Sequence, residues 1–197
     1  MKKIILASAS PGRKGLLLQV GLEFEVDPSD YQEDMTLEME PNKLAEHLSL
    51  GKAKDVARRH ENSIIISADT FCVLGGEILG KPYTKENAQK MLGKLSGKVH
   101  SVVTGFTIID TETNKQVSKS VETKVYFKNI TEEEVDAYIS SGEPLTKAGA
   151  YAMQHRGGLF VEKIDGDYFN IVGLPIAPLF EELKNFGINI LEYGRNN

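Results

Sequence analysis

At 197 residues the chain can form one large domain or two small lobes around an ordinary buried core. With 41% hydrophobic and 26% charged residues it has the composition of a globular protein, and a formal charge of −5 excludes the basic footprint of a general nucleic-acid binder. Cys72 is its only cysteine, which rules out an internal disulfide or a cysteine zinc cluster and fits a cytoplasmic setting.

The N-terminus starts like a secretory leader, with two lysines before an apolar run and Ala7-Ser8-Ala9 where cleavage would fall. The run, Ile4 to Ala7, is far shorter than the apolar segment of such a leader. No other stretch approaches membrane-spanning length, so a soluble intracellular protein is expected.

Lys3 to Ser8 predicts a short buried strand, and Pro11 to Val20 a helix closed by Gly21, with proline at the first turn where its missing N–H costs nothing. Glu23 to Val26 predicts another short strand, residues 27 to 40 a polar loop, and Pro41 to about His60 a long helix. Ser63 to Leu74 reads as a strand, turning at Gly75-Gly76 into Glu77 to Gly80. Thr84 caps a helix to Leu95. His100 to Asp110 and Ser118 to Phe127 pair around a turn near Asn114. Thr131 and Glu134 form a capping box for a helix to about Ser141. Leu159 to Ile164 and Tyr168 to Val172 are strand candidates, and Ile176 to Phe186 is the last helix. Alternating strands and helices without a linker or repeat make the class α/β.

Several residues carry potential chemistry. The opening stretch ILASASPGRKG gathers hydroxyls, a helix start and two cations, Arg13 and Lys14, at one strand end. Asp69 follows the apolar run Ile64 to Ala68, placing a carboxylate at the far end of a buried strand, where open α/β sheets bind ligands. On its own such an aspartate is as readily a strand terminator.

The segment GGEILGKP, Gly75 to Pro82, misses the phosphate-loop motif because Pro82 stands where Ser or Thr is required, leaving Lys81 as a solvated lysine or a point charge for phosphate. Lys52 falls on the apolar stripe of the long helix, near Leu48 and Val56, either snorkelling or aimed into a site. Asp55 and Arg59 fall near the same direction and spoil the stripe. Glu33 belongs to the acidic loop DYQED, whose side chains ordinarily face water but would suit Mg²⁺ if set beside Asp69. Lys147 to Pro175 is rich in glycine and amides, with Gln154 and Asn170 as candidates for contacting a ligand, or is a turn-rich hairpin. The four histidines form no metal-binding pattern.

Six blocks in order complete the pattern: LASASPGR (6–13), ADTFCV (68–73), GEILGKP (76–82), LSGKVHSVVTG (95–105), EPLTKAGAYAMQ (143–154) and IDGDYFNIVGLP (164–175). Together they resemble the Maf family of nucleoside triphosphate pyrophosphatases from Lys3 to about Ile188. The resemblance implies a single domain over 1–197 with an elongated mixed sheet, flanking helices and two lobes around a deep cleft, similar to inosine triphosphatases. It implies cleavage of the α–β anhydride of a nucleoside triphosphate to the monophosphate and pyrophosphate, with Mg²⁺ or Mn²⁺, in a cytoplasmic and often dimeric protein. The family's base falls on Asp69. Its phosphate and metal residues fall on Ser8, Arg13, Glu33, Lys52 and Lys81, with Glu33 and Asp69 as the metal pair.

Three positions are implied to select the base. The dTTP/UTP-preferring subgroup usually carries Arg, Thr and Gln, and this chain has Gly12, Thr70 and Gln154. Gly12 therefore departs, removing one cation. The subgroup preferring 7-methyl-GTP, usually aromatic at the first position, fits worse. Two rival activities are a phosphatase releasing terminal orthophosphate and a non-catalytic nucleotide sensor regulating cell division.

Overall fold

A computed structural model describes residues 2–192; Met1 and residues 193–197, the ends of the expected 1–197 domain, lie outside it. The α/β expectation is met. The strands are β1 (Lys3–Leu6), β2 (Glu25–Val26), β3 (Ser63–Leu74), β4 (Glu77–Leu79), β5 (Val99–Asp110), β6 (Gln116–Phe127) and β7 (Val161–Asp165). The helices are α1 (Pro11–Gln19), α2 (Pro41–Ala57), α3 (Lys85–Leu95), α4 (Glu132–Ser140), α5 (Tyr168–Val172) and α6 (Ile176–Asn185). All seven strands share one sheet in the order β2-β1-β3-β5-β6-β7, with β4 beside β3. It is mixed: β1 runs parallel to β2 and β3, whereas β3–β4 and β6–β7 are antiparallel.

The described residues divide into two compact units, 2–69, 104–121 and 173–192 in the first, and 70–103 and 122–172 in the second. In the first, Ile4 to Ala7 and Ile64 to Ile66 are buried, as parallel strands covered on both faces must be. Ile5, Ala7 and Ile65 pack with Ala53 and Val56 of α2 and Ile109 of β5. The seat of α2 is unusually close. A Cβ on Gly105 would overlap the Ala45 carbonyl group and come within 2.6 Å of the Glu46 nitrogen, so only glycine lets the helix backbone approach β5 this way. A buried polar chain fastens the same contact. Ser67 Oγ donates to the Ser49 carbonyl at 2.6 Å, and Ser49 Oγ lies 2.8 Å from Thr107 Oγ1.

The second unit has its own core, where Cys72, Leu92, Val125, Phe127, Tyr138, Tyr151 and Phe160 pack together. His100 is buried within the unit, its Nε2 2.9 Å from the Tyr151 hydroxyl and its ring edge-on to Phe127 and Tyr151. Burial pulls its pKa down from 6.5 to about 4. The capping box at Thr131 and Glu134 forms in both directions, and Thr84 caps α3.

Two strand expectations fail here. Tyr168 to Val172 is α5, not a strand. Asp167 Oδ1 accepts from the Phe169 N–H at 2.8 Å, turning the chain, and the buried Asn170 amide donates to the Val102 carbonyl and Thr123 Oγ1. Those contacts override the β propensity of Tyr, Phe, Ile and Val. Leu159 and Phe160 end a 3₁₀ turn starting at Arg156, so β7 begins only at Val161. Other boundaries move by a few residues; α2 stops at Ala57 rather than His60.

Gly105→Ala should lose about 1–3 kcal/mol through overpacking against α2, measured as a lower urea midpoint. His100 makes stability pH-dependent. The unfolded chain takes up its proton near pH 6.5 whereas the folded chain resists until about 4, so stability is full above 6.5 and drains away as pH falls between these values. A His100→Phe variant should show a flatter stability profile across that range.

Candidate active site

Parallel strands β1 and β2 end beside each other, and β3 runs on past the end of β1. The β1–β3 pairing stops at Leu6 and Ile66, with the Ala7 N–H still donating to the Ile66 carbonyl at 2.8 Å. β1 leads into Ser8, β2 into the loop bearing Glu33, and β3 carries Asp69 just beyond the paired stretch. The carboxyl ends of β1 and β2 are where an open α/β sheet gathers ligand-binding groups. Asp69, by contrast, lies within Ser63–Leu74 and not at the strand end expected for it, because β3 runs on to pair with β4.

The loop after β1 explains the clustered hydroxyls of the sequence. Ser10 caps α1, its Oγ facing the Arg13 N–H at 3.5 Å, and Pro11 takes the first helical position. Arg13, on the first turn, points back to the strand end. Its Nη1 donates to Ser8 Oγ at 3.0 Å and its Nε to the Gly173 carbonyl at 2.9 Å. Ser8 Oγ also accepts from the Ser10 N–H at 3.3 Å. Burial draws the Arg13 pKa below its ordinary value, while the negative charges of Asp69 and Glu33 oppose that shift.

Lys52 reaches the same edge from α2. Ser67 and Asp69 lie two apart on β3 and so share a face, while Ser49 and Lys52 lie three apart on α2 and so share a stripe. The Ser67–Ser49 bond is one rung between the two elements, and the Asp69–Lys52 ion pair is the next. Lys52 Nζ donates to Asp69 Oδ1 and also meets Glu33 Oε1 at 2.6 Å. Exposure falls from 41% for the Glu33 side chain to 12% for Lys52 and 7% for Asp69, so the ammonium links an inner carboxylate to an outer one.

The Glu33 loop is clasped to the far end of α2. Asp27 accepts from Arg59 Nε at 3.0 Å and lies 2.8 Å from His60 Nε2; Arg59 first and His60 second hold its carboxyl below the usual range. Asp55 Oδ2 accepts from Ser29 Oγ at 2.8 Å and from the Asp30 N–H at 2.9 Å, which lowers its pKa in the same way.

The structure thus brings together Ser8, Arg13, Glu33, Lys52 and Asp69, five of the residues singled out from sequence, all in the first unit. Gly12 lies half-buried on the first turn of α1. Thr70, Lys81 and Gln154 belong to the second unit: Thr70 continues β3, Lys81 is exposed after β4, and Gln154 is exposed before the Arg156 turn. The Ser10 cap, the Gly173 carbonyl and the Ser67–Ser49 rung belong to the site without being singled out by the sequence pattern. Asp55 and Arg59, flaws in an apolar stripe on the helical wheel, are the clasp. Among the described residues no group of three or more His, Cys, Asp or Glu side chains could hold a metal ion, and no helix is long and apolar enough to cross a membrane.

The family of the chain follows from comparison with known proteins. A family model described as "Maf-like protein" matches residues 3–186, and the chain belongs to that family. It is 49% identical over 193 residues to the "dTTP/UTP pyrophosphatase" of Methanococcoides burtonii, covering 98% of this chain and 99% of that one. It is 48% identical to the protein of the same name from Alkaliphilus oremlandii, over 97% of this chain and 100% of the other. A solved HAM1 protein from Coxiella burnetii superposes at TM-score 0.48 and 14% identity over 94% of this chain and 100% of that one, too loose a likeness to build on.

Arg13→Lys should be far from conservative. Arg13 reaches Ser8 Oγ and the Gly173 carbonyl from two different nitrogens of a planar fork, a spread that the single nitrogen of a lysine does not reproduce. The expected loss is about 1–2 kcal/mol, for one hydrogen bond and its abandoned partner, read from chemical denaturation.

Proposed function

We propose that the chain is a nucleoside triphosphate pyrophosphatase, cleaving the α–β anhydride of dTTP, UTP and related modified nucleotides to the monophosphate and pyrophosphate. Its family and the names of its close relatives support this reading. The observation that carries it in this chain is the Lys52 ammonium joined to Glu33 and Asp69 in the unit that also holds Arg13 on Ser8.

These groups divide the work by their chemistry. The Asp69 carboxylate, inner and held in place by Lys52, takes the proton from the water attacking the α-phosphorus. Ser8, the Gly12 N–H on the first turn of α1 and Arg13 bind phosphate oxygens, as helix N-termini do. Arg13 and Lys52 stabilise charge that builds on the departing pyrophosphate, with positioning and electrostatics doing most of the catalysis. For Lys81 as a further cation, and for Gly12, Thr70 and Gln154 as base-selecting positions, the support is the family resemblance alone. The same resemblance underlies the proposal of a cytoplasmic enzyme that pairs with a second copy.

Mg²⁺ or Mn²⁺ fits the donor set. Glu33 and Asp69 offer hard carboxylate oxygens, and both already contact one cationic group, the Lys52 ammonium. Two protein carboxylates with substrate phosphates are a usual complement for such an ion. When bound, the ion would supply Lewis-acid neutralisation of phosphate oxygens.

The test incubates the protein with Mg²⁺ or Mn²⁺ and a panel of nucleoside triphosphates, assaying pyrophosphate and orthophosphate separately. Pyrophosphate from dTTP and UTP ahead of other bases is expected, and Asp69→Asn should lower the rate on the order of 10²–10⁴-fold. Orthophosphate alone would identify a terminal phosphatase. Nucleotide binding without turnover would identify a sensor.

A further inference from the structure

Glu33 is the outermost member of the site and sits in an irregular loop, yet it meets Lys52 at 2.6 Å. Something must hold that loop against α2. The Asp55 clasp fixes Ser29 and Asp30, but Glu33 lies beyond it. Between them is Tyr31, whose N–H donates to Ser29 Oγ at 3.0 Å.

The Tyr31 ring lies over Gly51, the residue before Lys52. A Cβ built on Gly51 would stand 2.6 Å from both Cε1 and Cε2 of that ring and closer still to Cζ. Gly51 is inside α2 and is not among the glycines with positive φ, so its backbone geometry does not call for glycine. In a helix interior glycine costs about 1 kcal/mol relative to alanine. What it supplies here is room for the ring. The loop is thus attached to α2 twice in succession, at Asp55 and at Gly51, and Glu33 follows two residues after the second attachment.

We propose that the Tyr31 ring seated on Gly51 is the latch that positions Glu33 on Lys52, making Tyr31 and Gly51 positioning residues; the inference rests on the metal-holding role proposed for Glu33 above. With Ser29 and Asp30 held by Asp55, whatever part of the shift of a ring pushed off Gly51 the Tyr31 side-chain torsions do not absorb falls on the backbone leading to Glu33. A misplacement of about 1 Å near reacting groups can cost on the order of 10²-fold.

The experiment compares kcat, KM and melting temperature for wild type, Gly51→Ala, Tyr31→Ala, Tyr31→Phe, the Tyr31→Ala/Gly51→Ala double variant and Glu33→Gln, with dTTP and saturating Mg²⁺. Gly51→Ala should lower kcat about 10- to 100-fold with KM within about twofold of wild type, while melting no lower because alanine favours the helix. Tyr31→Phe, which keeps the ring, should match wild type. The double variant should be no slower than Tyr31→Ala, because once the ring is gone the added methyl meets nothing. Gly51→Ala at wild-type kcat, with Glu33→Gln impaired, would overturn the latch. A loss that persists additively in the double variant, or that tracks a fall in melting temperature, would also overturn it. Wild-type kcat in Glu33→Gln would remove Glu33 from the reaction, and the latch with it.

Discussion

One ammonium group holding two carboxylates, Lys52 between Glu33 and Asp69, is the interaction on which the rest of the first unit depends. A lysine and an aspartate this far from water are tolerated only when each answers the other. Removing one partner of a buried pair typically costs about 3–5 kcal/mol, because the remaining charge is left uncompensated. The pairing therefore demands that α2 lie against β3 and β5 in one register. Gly105 gives the helix its close approach, and Ser67, Ser49 and Thr107 fasten it one rung below the ion pair. A helix seated less tightly would strand Lys52 short of Asp69.

Under the proposed function an acidic protein has to receive a polyanion. The chain carries a formal charge of −5, so its overall field does not attract a triphosphate. Attraction must be local. In the proposed function that attraction falls to Arg13, desolvated and braced on Ser8 and Gly173, helped by a divalent ion, because Lys52 is already balanced by Glu33 and Asp69. Such preorganisation makes fixed charges effective in stabilising a charged transition state. It also accounts for small hydroxylated residues after β1, since Ser8 and Ser10 serve the arginine and the helix start at once.

Much of this was legible in the chain. Ser63–Leu74 is a strand over the bounds the sequence predicts, because three consecutive isoleucines open it and two turn glycines close it. The caps at Thr84 and Thr131 were visible because capping is local chemistry. Asp69, Lys52 and Glu33 were each weak candidates singly; family resemblance joined them, and the structure of the first unit places them in contact. What could not be seen was tertiary in origin. Tyr168 to Val172 carries strand-forming residues and coils into α5, because Asp167 turns the chain and Asn170 bonds to groups distant in sequence. Asp55 and Arg59 looked like blemishes on a helix face because their partners, Ser29, Asp30 and Asp27, sit in a loop with no period.

The position of water attack decides between α–β cleavage and terminal phosphate release. Hydrolysis of dTTP in water labelled with heavy oxygen, followed by mass spectrometry of both products, tests that directly. If Asp69 directs water to the α-phosphorus, the label appears in the nucleoside monophosphate and the pyrophosphate is unlabelled. Label in pyrophosphate or orthophosphate would mean that attack occurs elsewhere on the chain of phosphates, and the role assigned to the Asp69 edge would be wrong.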